Sequence, residues 1–108
     1  MTAEIQIPEV VREFRRRLET LYGDRLRDVI LFGSYARGEA DEGSDIDVLV
    51  VLDDFGDEEA ELRRMDPIAD ELSLEHDVVI SNLVVRAAAY ARRHSALLLT
   101  VRREGVGV

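Results

Sequence analysis

No cysteine and no lysine occur among the 108 residues, and there are only two prolines. The first absence removes disulfides and thiolate metal sites. The second removes the G-x-x-x-x-G-K-[ST] phosphate loop, whose lysine must reach the phosphates; all 14 basic residues are arginine. Long apolar runs are missing as well: nothing approaches the roughly 20 residues that span a bilayer, so no membrane partner is expected. Met1 to Ile7 has neither the basic head nor the apolar stretch of a secretory signal. A cytoplasmic protein is the expectation. Positive charge is in the minority, 14 basic against 23 acidic side chains, for a net charge of -9. A field of that sign opposes a broad grip on a phosphate backbone, which argues against DNA or RNA as a partner.

What remains is the composition of a water-soluble globular domain, 46% hydrophobic and 34% charged. The length predicts one domain over residues 1–108, enough for a single core and too little for a separate substrate domain. A second substrate is therefore expected to be presented by something else. Charge is unevenly spread: Gly38 to Leu62 carries eleven acidic side chains and no basic one, whereas Val11 to Arg37 holds seven arginines. An acidic centre flanked by arginines suits a cation with its phosphates, although a solvated loop and helix face accounts for most of the eleven.

Pro8 to Tyr22 reads as an amphipathic helix with Val10, Val11, Phe14, Leu18, Leu21 and Tyr22 on one stripe, stopped at Gly23. Asp28 to Phe32 reads as a strand buried on both faces that turns sharply at Gly33-Ser34, followed by a helical turn from Tyr35 to Arg37. After a polar loop, Ile46 to Leu52 forms a second strand. Ile46, Val48, Val50 and Leu52 share one face; Asp45, Asp47, Leu49 and Val51 share the other. Glu58 to Leu72 has helical spacing, with Asp66-Pro67 a point where it could split. His76 to Ser81 reads as a third strand, Ala87 to Ala91 as helix, and Ala96 to Val101 as an apolar patch for the sheet. The order predicts an α/β (α+β) fold, a short mixed β-sheet flanked by helices.

Asp45 and Asp47 stand two apart on a strand, so their side chains project to one face with Cα atoms roughly 6 to 7 Å apart. Such a pair makes physical sense around a divalent cation, since bare carboxylates there would repel and one would keep its proton. Hard oxygen ligands select magnesium or manganese over zinc. The same dipeptide spacing also occurs in ordinary solvated turns. Gly33 and Ser34 supply the other half: glycine lets backbone approach a ligand, and the following turn aims free N–H groups at an anion such as a triphosphate. Nucleotidyl transfer needs little more than this, in-line placement and neutralised phosphate charge. Arg37 suits a triphosphate oxygen or an ion pair with Glu39 or Asp41. Ser44 suits a phosphate contact or a turn-capping role. His94 reads as a surface residue, and Tyr35 and Tyr90 as packing residues.

Taken together, GSYARGEADEGSDID, with ten residues between Gly33-Ser34 and Asp45-Ile46-Asp47, resembles the signature of the DNA polymerase β-like nucleotidyltransferase superfamily, and more narrowly its minimal (MNT) branch. The similarity runs from the first helix into Arg102-Arg103-Glu104-Gly105-Val106 and includes Ala36-Arg37-Gly38 and Ser44. The resemblance implies a short sheet flanked by helices and three carboxylates holding two Mg2+ ions, with Mn2+ as a substitute. It assigns metal-ligand roles to Asp45 and Asp47, and the β and γ phosphates of ATP to Ser34 and the nearby backbone. It also points to Asp77, in LEHDVVIS, as the third carboxylate, a metal ligand that helps deprotonate the acceptor. A solvent-exposed aspartate at a strand edge is the other reading of Asp77.

Minimal proteins of this branch resemble the antitoxins of prokaryotic pairs whose toxin is a HEPN-type ribonuclease. The implied activity is transfer of AMP from ATP to a tyrosine of that toxin, in a hetero-oligomeric complex. Two other readings fit the sequence: an inert MNT fold that neutralises by binding, and a nucleotidyltransferase acting on a small molecule of the aminoglycoside type.

Overall fold

The computed structural model describes residues 7–92 and 95–108; His94 lies outside them. Helix α1, Glu9–Tyr22, follows Pro8, whose extended backbone stands at its entry, and buries Val10, Val11, Phe14, Leu18 and Tyr22 along one stripe. Strand β1, Leu26–Phe32, leads through Gly33 into the single-turn helix α2, Ser34–Arg37. Strand β2, Ile46–Leu52, spans the segment expected from its alternation. Helix α3, Glu58–His76, is capped by the Asp57 carboxylate on the Ala60 amide and carries Glu58, Glu59 and Glu61 near its positive end. Strand β3, Ile80–Arg86, passes into α4, Ala87–Arg92. Helix α5, Ala96–Glu104, begins at the Ser95 cap and ends before the two-residue strand β4, Val106–Gly107.

The sheet runs β3-β2-β1-β4, with β2 parallel to β3 and β1 antiparallel to both β2 and β4. It is the short mixed sheet expected. One face, with Val29, Leu31, Ile46, Val48, Val50, Leu52, Ile80 and Val84, packs against α1 and α3. The other, with Ile30, Phe32, Leu49 and Val51, packs against Leu98 and Val101 of α5. Asp47 belongs by alternation to this second face, the side that α5 covers.

Two expectations need correcting, and one element was not read from the sequence. Helix α3 does not split at Asp66-Pro67 and runs on to His76. Pro67 sits on the exposed side, while Met65, Ala69 and Leu72 are buried at helical spacing; their packing outweighs the roughly 3 kcal/mol a mid-helix proline costs. The third strand starts at Ile80 rather than His76. The reason is Asp77, which takes a left-handed backbone (φ 53, ψ 48) and closes the helix with its N–H on the Ser73 carbonyl. The edge strand β4 was not legible, because two residues carry no alternation. Its place is fixed instead by pairing of Val106 and Gly107 with Leu31 and Ile30.

Among the described residues, no helix is long and apolar enough to cross a membrane.

Candidate active site

Pairing of β1 with β2 sets Phe32 opposite Asp47, so the end of one strand and the head of the next meet at Gly33. Gly33 has φ 76 and ψ -155, a region open to glycine and costly for other residues. A β-carbon there would lie 2.3 Å from Asp47 Oδ2. Glycine is thus required twice, by the turn and by the carboxylate beside it. The chain then makes its one helical turn, and Gly38 ends it with an N–H that reaches the Ser34 and Tyr35 carbonyls.

Asp45 is exposed just before β2, and Asp47 is partly buried within it. The Asp47 carboxyl is held above the ordinary carboxylate range, first by burial and then by the neighbouring Asp45 charge, with Arg37 pulling the other way. Among the described residues neither carboxylate has a hydrogen bond or ion pair with a side chain, although Arg37 stands close enough to be felt.

Arg37 is engaged elsewhere. Its Nε donates to Glu39 Oε2 at 3.0 Å, and its Nη1 donates to Glu104 Oε1 and Oε2 at 3.1 and 3.2 Å. The Glu39 pair is the one the sequence offered; Glu104 is a residue sequence reasoning missed. Glu104 also accepts from the Gly33 N–H at 3.1 Å. One signal pointed to it: an acidic residue after two arginines at the end of a helix, where the dipole disfavours negative charge. The Ser44 hydroxyl takes the turn role, accepting from the Asp41 amide at 3.0 Å and donating to Asp41 Oδ1 at 3.2 Å.

Asp77 reaches the same depression as Asp45, which Tyr35, Ser44, Val78 and Val79 also line. The link is a backbone bond from the Ile46 N–H to the Val79 carbonyl, 2.8 Å, which lays the segment before β3 beside the head of β2. Asp45, Asp47 and Asp77 do not converge to ligand distance on one point. Among the described residues, the set of three His, Asp or Glu side chains with ligand atoms within 4.8 Å of one another is Glu13, Glu75 and His76, between α1 and the end of α3. Tyr35 packs against the main core and Tyr90 against the smaller one, as expected.

Residues 11–97 match the family described as the nucleotidyltransferase domain. The chain belongs to that family. A Methanocaldococcus jannaschii protein, provisionally named a protein adenylyltransferase, is 39% identical over 82 residues, covering 76% of this chain and 82% of its relative. A crystal structure of a toxin-antitoxin with AMP-PNP superposes with a TM-score of 0.60 at 25% identity, over 88% of this chain and 69% of that one. A tri-AMPylated Shewanella oneidensis HEPN toxin in complex with an MNT antitoxin aligns with a TM-score of 0.50 and 23% identity, over 89% and 69% of the two chains. At that identity the likeness speaks to the fold.

For a nucleotidyltransferase, the donors at Asp45 and Asp47 fit a hard divalent cation. Both offer only carboxylate oxygens, and among the described residues both lack a side-chain partner; burial and the Asp45 charge, which raise the Asp47 carboxyl, are what a bound cation would offset.

Proposed function

We propose that this nucleotidyltransferase is the antitoxin of a HEPN-type toxin, transferring AMP from ATP to a tyrosine of that toxin and thereby blocking its ribonuclease activity in the cytoplasm. The observation that carries the reading is the abutment of Gly33 on Asp47, a phosphate-approach glycine closed against a carboxylate that has no side-chain partner among the described residues. The relatives support the chemistry by their names: one is provisionally a protein adenylyltransferase, and another belongs to a toxin-antitoxin complex with AMP-PNP.

Asp45 and Asp47 would hold Mg2+, with Asp77 as the further ligand once the acceptor is in place. The cation supplies neutralisation of phosphate charge. The Gly33 amide, Ser34 and Arg37 receive the β and γ phosphates, and Ser44 supports the loop that carries Asp45. The tyrosine oxygen forms a bond to the α-phosphorus as the bond to the β-phosphate oxygen breaks. Pyrophosphate leaves, and the tyrosine proton passes to a carboxylate, Asp77 in this reading. The depression shared by Asp45 and Asp77 adjoins one lined by the exposed Leu74 and Val79, which suits the approach of a protein acceptor.

The test is intact-mass analysis of the cognate toxin after incubation with this chain, ATP and Mg2+. A 5′-AMP adduct on a tyrosine is expected, absent with Asp47→Asn. An unmodified toxin that is nonetheless neutralised would overturn the transfer reading.

A further inference from the structure

The Glu104 carboxylate is seated on two groups that the proposed function gives to the triphosphate. Its Oε1 accepts from the Gly33 N–H at 3.1 Å, and both its oxygens accept from Arg37 Nη1, at 3.1 and 3.2 Å. The Arg37 Nε is held by Glu39. Arginine's fork and a backbone amide make a seat that takes a carboxylate or a phosphate on the same terms, since both present paired anionic oxygens.

Glu104 is not on this seat by chance of a loose side chain. It is the last residue of α5, where exposed carbonyls disfavour a negative charge, so its own helix offers it nothing. Its side chain is only 18% exposed. The following Gly105 presses the end of the helix onto β1: a β-carbon there would lie 2.3 Å from the Val101 carbonyl oxygen and 2.6 Å from Ile30 Cγ2. That close approach holds Glu104 over Gly33.

We propose that Glu104 is an internal stand-in for a phosphate, one that a triphosphate must displace from Gly33 and Arg37 in order to bind. The inference rests on the nucleotide reading of this site and adds a residue to it. Displacement frees the Arg37 Nη1 and the Gly33 N–H for the incoming phosphate, and the ligand's charge replaces the carboxylate's. Glu104 therefore sets a threshold. A nucleotide whose phosphate tail reaches the seat exchanges for the carboxylate, whereas a monophosphate that does not reach it binds without regard to Glu104.

The experiment titrates inorganic triphosphate, with Mg2+ present, into the whole chain as wild type, Glu104→Gln and Glu104→Ala, following backbone amides by NMR. The expected result is a shift of the Gly33 amide in all three and binding tighter by about tenfold in both variants, since a competing charge-assisted bond has been removed. In the wild type, saturating triphosphate must also move the Glu104 carboxylate signal, a readout that needs no variant. Equal or weaker binding in the variants, a Gly33 amide that does not move, or a Glu104 signal unchanged at saturation overturns the proposal. The probe carries no base and no group to transfer. A failure here leaves AMP transfer to be judged on the toxin adduct, and a missing adduct leaves the triphosphate result standing.

Discussion

Gly33 and Asp47 stand so close across the end of the β1-β2 pair that a β-carbon on the glycine would lie 2.3 Å from the aspartate's Oδ2. The contact joins the Gly33 turn to the carboxylate pair and leaves no room between them for a side chain. Gly33→Ala would have to push Asp47 aside while holding φ near 76. The expected cost is about 1 to 3 kcal/mol of stability from the backbone alone, together with loss of AMP transfer. Thermal unfolding and the toxin adduct assay check the two effects; a variant as stable and as active as wild type would show that the turn is not constrained as described.

Asp47→Asn keeps the shape of the side chain and removes a ligand charge. Transfer should fall by on the order of 100-fold or more, in the range of groups acting directly at a reacting centre, while the complex with the toxin persists. Size-exclusion chromatography beside the adduct assay separates the effects. Loss of the complex would assign Asp47 to the interface instead.

Much of this arrangement was legible in the sequence. The spacing between Gly33-Ser34 and Asp45-Ile46-Asp47 marked two segments that the fold brings together at Gly33 and Asp47, and the alternation of Ile46 to Leu52 gave β2 to the residue. Other features depend on tertiary contacts that local pattern does not encode. Pro67 marks a break that the buried Met65, Ala69 and Leu72 override. Asp77 sits inside the run that reads as a strand, yet its left-handed backbone, which aspartate tolerates, ends α3 and delays β3. Glu104 lies 71 residues from Gly33, and only the return of α5 to β1 brings them together.

Asp77→Asn tests the third carboxylate cleanly, because asparagine tolerates the same left-handed backbone. The folded chain should melt as wild type does, while transfer drops by about tenfold or more if the carboxylate takes the acceptor proton. Unchanged transfer would make Asp77 only the helix stop that its φ of 53 already shows it to be.

Away from the site, the Tyr22 hydroxyl donates to Glu61 Oε2 at 2.9 Å, and Glu61 is just 8% exposed. Burial, and then the bond to Glu61 and its charge, push the Tyr22 hydroxyl up to about 12. An unfolded tyrosine titrates near 10. The folded state therefore keeps a proton that the unfolded chain gives up between these values, so the contribution is complete below pH about 10 and is lost as pH rises towards about 12. Tyr22→Phe should cost about 1 to 2 kcal/mol at neutral pH and flatten the alkaline fall in stability. Urea unfolding across that range checks both; an unaltered alkaline slope would contradict the assignment.

The most direct test of the account is calorimetric titration of ATP into the chain with Mg2+, wild type beside Asp45→Asn/Asp47→Asn. Metal-dependent binding by the wild type and none by the double variant is the expected result. Equal binding by both, or none by the wild type even with the toxin present, would contradict a nucleotide site built on Gly33, Ser34, Asp45 and Asp47.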